Sequence, residues 1–139
     1  VKKSKPVIFV ETSAFVRFLT RDTERKYQQV HDLIVAAESG SVKLVTSNIV
    51  WFEMIYVTTK IYKYPIADIA RIIGRLRKTR SLTMIETTNT PAAVALWQKT
   101  KLPYGDCLIV TQVPERAQLA TFDADFKKVV PKEKLWQWT

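Results

Sequence analysis

Val7-Ile-Phe-Val-Glu-Thr-Ser-Ala14 is the stretch on which the reading of this chain turns. Its first four residues are apolar and β-prone with no polar alternation, the pattern of a strand buried on both faces in a parallel sheet. The run stops at Glu11-Thr12-Ser13, where a hydroxyl can cap a helix expected from Ala14 to about Leu19. A strand that hands over to a helix with a carboxylate at the joint also says where chemistry would sit. In open α/β sheets, sites form beyond the carboxyl ends of the strands.

Strands and helices alternate outward from this junction. Asp22 or Thr23 starts a helix with Tyr27, Val30, Ile34 and Ala37 on one face, ended by Ser39-Gly40. Val42–Val45 reads as a second strand, and Ser47 or Asn48 caps a helix over Asn48–Lys60. Pro65 suits the first turn of a fourth helix, with Ile66, Ile69, Ile73 and Leu76 as its apolar stripe and Arg71, Arg75 and Lys78 opposite. Leu82–Ile85 is a third strand. Thr90-Pro91 opens a helix to about Lys101, and Pro103–Gly105 turns into a short apolar helix that begins at Asp106 and stops before Pro114. Leu119–Thr121 is a brief strand, and Leu135 is a candidate for an added edge strand. The alternation predicts a three-layer α/β/α domain with a mostly parallel central sheet.

Composition bounds the class. At 139 residues and 47% hydrophobic, the chain supports one domain, 1–139, with a real core. The lone Cys107 excludes an internal disulfide and offers no metal-thiolate spacing, which suits a reducing, cytoplasmic compartment. No apolar run reaches membrane-spanning length, and Lys2, Lys3 and Lys5 form a basic tail too sparse for a targeting signal. A formal charge of +9 and a pI near 9.8 favour an acidic partner, of which nucleic acid is the commonest.

Against that positive balance stand four placed acids. Glu53 has Ile49, Val50, Tyr56 and Val57 at helical neighbour spacings, so its carboxylate is expected among apolar side chains. An unpaired carboxylate there needs a cation, a proton or a metal ion. Glu11 follows the first strand, Asp123 follows the last, and Asp106 opens a helix whose positive end favours the ionised form. Each has a plainer reading: Asp106 as a helix cap, Asp123 and Asp125 as turn formers, Glu11 as a strand-exit surface residue, Glu53 as half of a buried ion pair. The set carries the inference, because hard cations such as Mg²⁺ and Mn²⁺ prefer grouped carboxylates and activate water against phosphodiesters. His31 and Cys107 read as structural, so a thiol or Ser-His-Asp mechanism has no support.

At these residues the chain resembles the PIN-domain family, and more narrowly its VapC-type toxin ribonucleases. The resemblance runs through Val7–Ala14, Ser47-Asn-Ile-Val-Trp-Phe-Glu53, Tyr104-Gly-Asp-Cys-Leu-Ile109 and Leu119-Ala-Thr-Phe-Asp-Ala-Asp-Phe126. It implies a PIN-like fold and a metal-dependent endoribonuclease with Glu11, Glu53, Asp106 and Asp123 around Mg²⁺ or Mn²⁺. It also implies a hydroxyl from Thr12 or Ser13 in the site, with Asp125 a further acid beside Asp123. An RNA substrate, a VapB-like antitoxin laid across the active-site groove and a homodimer follow from the same resemblance. Arg71, Arg75, Lys78, Lys127 and Lys128 are the candidate RNA contacts, with a solvated helix face the plain alternative, and Trp51, Phe52, Tyr56 and Tyr62 the candidate docking groove, with ordinary core as its alternative.

The family pattern opens with Asp where this chain has Glu11. The extra methylene carries the carboxylate about 1.5 Å farther, and in-line chemistry is sensitive to shifts near 1 Å. A PIN-like RNA-binding or regulatory module with an impaired site is therefore the alternative to the enzyme. A phosphatase or receiver-like domain would want an aspartate at that strand end, which Glu11 is not.

Overall fold

Four strands, β1 (Val7–Val10), β2 (Lys43–Ser47), β3 (Leu82–Ile85) and β4 (Ala117–Ala120), form one sheet in the order β3-β2-β1-β4. Every neighbouring pair is parallel, with Val7 opposite both Lys43 and Ala117. The computed structural model describes residues 4–139; Lys2 and Lys3 lie outside them. Parallel strands need long crossovers, and these carry α1 (Thr12–Thr20), α2 (Glu24–Glu38), α3 (Asn48–Tyr56), α4 (Ile66–Leu76), α5 (Thr90–Thr100) and α6 (Tyr104–Gln112). The β1→β2→β3 connections step one way across the sheet and β3→β4 steps back past them. Right-handed crossovers therefore put α5 and α6 on the opposite face from the earlier helices, giving three layers.

The reversal of strand order falls between β1 and β4, and crevices open at such switch points. All four β1 residues are buried, and Ile8, Phe9, Leu119, Val50, Met54 and Phe126 are almost wholly out of contact with water. That core leaves the ends of β1, β2 and β4 to face the crevice.

Several local expectations shift. Helix α1 begins at Thr12 rather than Ala14, and its cap is the Glu11 carboxylate, which accepts from the Ser13 amide at 3.0 Å; no hydroxyl serves there. Ser47 caps α3 and Asn89, not Thr90, caps α5. The helix expected over Asn48–Lys60 is α-helical only to Tyr56 and then widens into a π-helical turn over Val57–Ile61. The buried stripe of α3 is Val50, Trp51 and Met54, so Glu53 stands half-buried at its margin and Tyr56 is exposed. Ile66 lies 76% exposed, off the buried stripe expected of α4. Leu135 makes a single parallel bridge to Leu119 rather than a strand, with the Trp136 amide donating to the Leu119 carbonyl. Among the described residues no helix is long and apolar enough to cross a membrane.

Phe126 anchors the segment after β4 that carries Asp123. Phe126→Ala is expected to cost about 3–5 kcal/mol by the loss of a fully buried ring, whereas Phe52→Ala, at a position 67% exposed, should stay within about 0.5 kcal/mol. Urea unfolding of both variants checks this, and a Phe126→Ala midpoint close to wild type would refute the anchoring role.

Candidate active site

Each acid reaches the switch point for a local reason. Glu11 is fixed as the first residue after β1 because its amide continues the strand pairing to the Ala120 carbonyl (3.0 Å). Its Oε1 accepts from the Ser13 amide, from Ser13 Oγ at 2.6 Å and from Thr121 Oγ1. Ser13 Oγ in turn accepts from the Phe122 amide at 2.8 Å, and Thr121 Oγ1 from the Asp123 amide at 3.0 Å. One carboxylate oxygen thus ties the β1–α1 junction to the exit of β4. Asp123 begins a 3-10 turn over Ala124–Lys128 and caps it through the Asp125 amide.

Glu53 projects from α3, where Thr12 Oγ1 donates to its Oε1 at 2.9 Å. The two adjacent hydroxyls therefore divide the work, Thr12 steadying Glu53 and Ser13 steadying Glu11. Opposite Glu53 lies α6, which meets α3. A Cβ on Gly105 would come within 2.6 Å of Glu53 Oε2. A side chain there would push the carboxylate aside. Asp106 follows it in the first turn of α6, with 9% of its surface exposed.

Glu11, Glu53, Asp106 and Asp123 line one cavity of about 320 Å³, together with Thr12, Ser13, Val16, Arg17, Val57 and Tyr62. None of the four has a salt-bridge partner among the described residues. Burial raises the pKa of Glu11 against the hydrogen bonds that lower it, and burial likewise raises Glu53, with Asp123 adding repulsion. Asp106 is pushed up to about 7, first by burial and then by the charges of Glu53, Glu11, Asp123 and Asp125. Among the described residues no three His, Cys, Asp or Glu side chains stand close enough to hold an ion as they are. The carboxylates surround the space rather than close on a point, as uncompensated like charges do.

The other sequence candidates separate from this cavity. Asp125 pairs with Lys128 at 3.1 Å and acts on Asp106 through its charge. Lys127 lines a neighbouring cleft beside Trp136 and Trp138. Arg71 pairs with Asp68, Arg75 lines an apolar groove between Phe18, Tyr27 and Ile72, and neither lines the acidic cavity, nor does Lys78. Of the expected docking residues, Trp51 is core against Phe15, while Phe52, Tyr56 and Tyr62 are exposed. Cys107 is buried with its thiol pKa raised by that burial, and His31 sits at the surface beside Gln28 and Asp32.

Gly105 and Arg17 escaped the sequence reading as site residues, and Tyr62 was read only as part of a docking groove. Gly105 carries no signal for a contact made across the fold. Arg17, one turn beyond Ser13, looks solvated. Tyr62 comes round because its amide donates to the Val57 carbonyl, a five-residue step that turns both side chains to the cavity. The adjacent Thr58 and Thr59, whose hydroxyls bond back to Met54 and Ile55 carbonyls, were the available hint, since such bonds distort helices.

A family model for the PIN domain matches residues 8–131. The fold is similar to a chain of a toxin-antitoxin complex from Klebsiella pneumoniae, at 19% identity and TM-score 0.62, covering 94% of this chain and 96% of that one. It is also similar to a chain of VapBC2 from Rickettsia felis bound to a DNA fragment from their promoter. There the identity is 18% and the TM-score 0.63, over 96% of this chain and 99% of that one. No curated protein matches the sequence.

The raised carboxyl groups make stability depend on pH. The folded chain keeps the Asp106 proton up to about pH 7, whereas the unfolded chain releases it near 3.8. The folded form binds more protons between those limits, so metal-free stability should fall as pH rises through them and level off above. Asp106→Asn should flatten that slope. Urea midpoints across this range in EDTA provide the check, and a midpoint that climbs steadily toward pH 7 would contradict it.

Proposed function

The chain belongs to the PIN-domain family, and on that footing we propose that it is a metal-dependent endoribonuclease, the toxin of a VapBC-type toxin–antitoxin pair. The observation that carries the reading is the cavity lined by four carboxylates, none of which pairs with a basic side chain among the described residues. That donor set fits a hard divalent cation, Mg²⁺ or Mn²⁺, better than any group present in the chain. Bound there, such an ion would supply a water of lowered pKa and neutralise charge on a phosphodiester.

The chain's own residues set the terms. Ser13 and Thr121 hold Oε1 of Glu11, and Oε2 has no donor among the described residues. Thr12 holds Glu53, and Gly105 gives it room. Asp106 carries its proton up to about pH 7 without a cation and must release it to serve as a ligand. Ion affinity should therefore rise with pH through that range. In a chain of charge +9, basic residues away from the cavity favour a polyanion such as RNA. Exposed Phe52, Ile55, Tyr56 and Ile61 along α3 and the π turn suit protein contact, for which a VapB-like antitoxin and a second copy of the chain in a cytoplasmic complex are the proposed occupants. An antitoxin Lys or Arg entering the cavity would pair with the carboxylates and compete with the ion.

Glu11 favours a second reading, an RNA-binding module that does not cut. Its carboxylate oxygen is committed to three protein donors, a bond set that a shorter Asp would make differently. Incubating the protein with RNA plus Mn²⁺ or EDTA separates the two. The enzyme reading expects Mn²⁺-dependent cleavage, reduced at least about 100-fold by Asp106→Asn with RNA binding retained, and a faster Glu11→Asp variant. Cleavage by neither wild type nor Glu11→Asp would give preference to the non-cutting module. A Glu11→Asp variant no faster than wild type would make glutamate the fitted ligand.

A further inference from the structure

An acid-lined cavity repels the phosphodiester it is meant to receive, so a protein cation in its wall has a definite use. Among the described residues lining it, Arg17 is the one cation. It sits one turn beyond Ser13 on α1, yet its guanidinium pairs with none of the four acids. Nη1 donates instead to Asp22 Oδ2 at 2.7 Å. Asp22 is brought back alongside Arg17 by the left-handed backbone of Arg21 (φ 49°), and it also accepts from the Tyr62 hydroxyl at 3.4 Å. Arg17 Nε is buried with no hydrogen-bond partner among the described residues. A guanidinium resting with one donor unsatisfied has little to lose by turning toward an anion. With Nη1 held by Asp22 and Nε buried, Nη2 is the donor left for an oxygen of a phosphate.

We propose that Arg17 grips a substrate phosphate at the wall of the acidic cavity, and that Asp22 is the positioning residue that keeps its guanidinium off the carboxylates. The inference rests on the ribonuclease reading for the identity of the substrate. Asp22 matters because Arg17 is otherwise free to fall onto Glu53, Asp106 or Asp123 and occupy the cavity as a cation of the protein's own. The tether thus serves two ends, a phosphate grip held ready and a cavity left open to a divalent ion.

The test pairs RNA binding with metal binding. With a labelled single-stranded RNA of mixed sequence in EDTA, Arg17→Gln should weaken binding about tenfold and lower the salt slope by about one, with Arg17→Lys in between. With Mn²⁺ alone, followed by thermal shift, Asp22→Asn should raise the concentration needed for half-maximal stabilisation about fivefold. Adding Arg17→Gln to Asp22→Asn should restore the value of Arg17→Gln by itself. Unchanged RNA affinity and slope in Arg17→Gln would overturn the phosphate grip, as would wild type that does not bind RNA. An Asp22→Asn effect on Mn²⁺ that persists in the double variant would overturn the positioning role. Cleavage of the same RNA by wild type decides the ribonuclease reading separately: binding that depends on Arg17 without cutting sinks that reading alone, and cutting without dependence on Arg17 sinks only this inference.

Discussion

One oxygen atom, Oε1 of Glu11, governs the carboxyl edge of the sheet. It gathers the Ser13 amide, the Ser13 hydroxyl and the Thr121 hydroxyl, and through those hydroxyls the amides of Phe122 and Asp123 are set as well. Hydrogen bonds to a charged acceptor are stronger than neutral ones, and in a buried setting each member supports the next. The same carboxylate caps α1. Strand pairing, helix entry and the position of Asp123 are therefore one arrangement, and the crevice between β1 and β4 is shaped by it.

That arrangement concentrates negative charge where the fold can least dissipate it. Buried carboxyl groups without a paired cation weaken the folded state when ionised, and burial and the neighbouring acids push Asp106 up for the same reason. The surrounding core compensates: Met54 and Val50 under α3, Ile109 under α6 and Phe126 beyond β4 are packed out of contact with water. Apolar contacts on both faces of the sheet carry a cavity that, by itself, repels its own walls.

The sequence disclosed this architecture unevenly, for physical reasons. The apolar run Val7–Val10 announced a buried parallel strand because four β-prone apolar residues in a row, stopped at Glu11, suit a strand covered on both faces. The acids at strand and helix ends were legible because chain order and right-handed crossovers bring those ends together. Glu53 was found for a partly mistaken reason, since its neighbours Ile49 and Tyr56 do not enclose it and it stands at the margin of the buried stripe. Contacts that depend on a few tenths of an ångström across the fold stayed hidden. Gly105 against Glu53 is one, while the Arg17–Asp22 pair is local and was missed because it needs the left-handed turn at Arg21. The π turn was lost because helical periodicity assumes an even pitch, and an extra residue in one turn rotates all that follows.

The parallel topology has a consequence for how the chain is made. Glu11 meets Thr121 across 110 residues of sequence, and Ser13 meets Phe122 across 109. During synthesis the first carboxylate emerges long before the hydroxyl and the final acid that complete its surroundings. A growing or truncated chain that stops short of Ala117 has β1 without β4, and with it Glu11 without the Thr121 hydroxyl and Glu53 without Asp123. Pairings at such separation also close late in folding, after the local helices. The acidic cavity is thus among the last parts of the molecule to exist, and an unfinished polypeptide carries Glu11, Glu53 and even Asp106 before it can form the cavity.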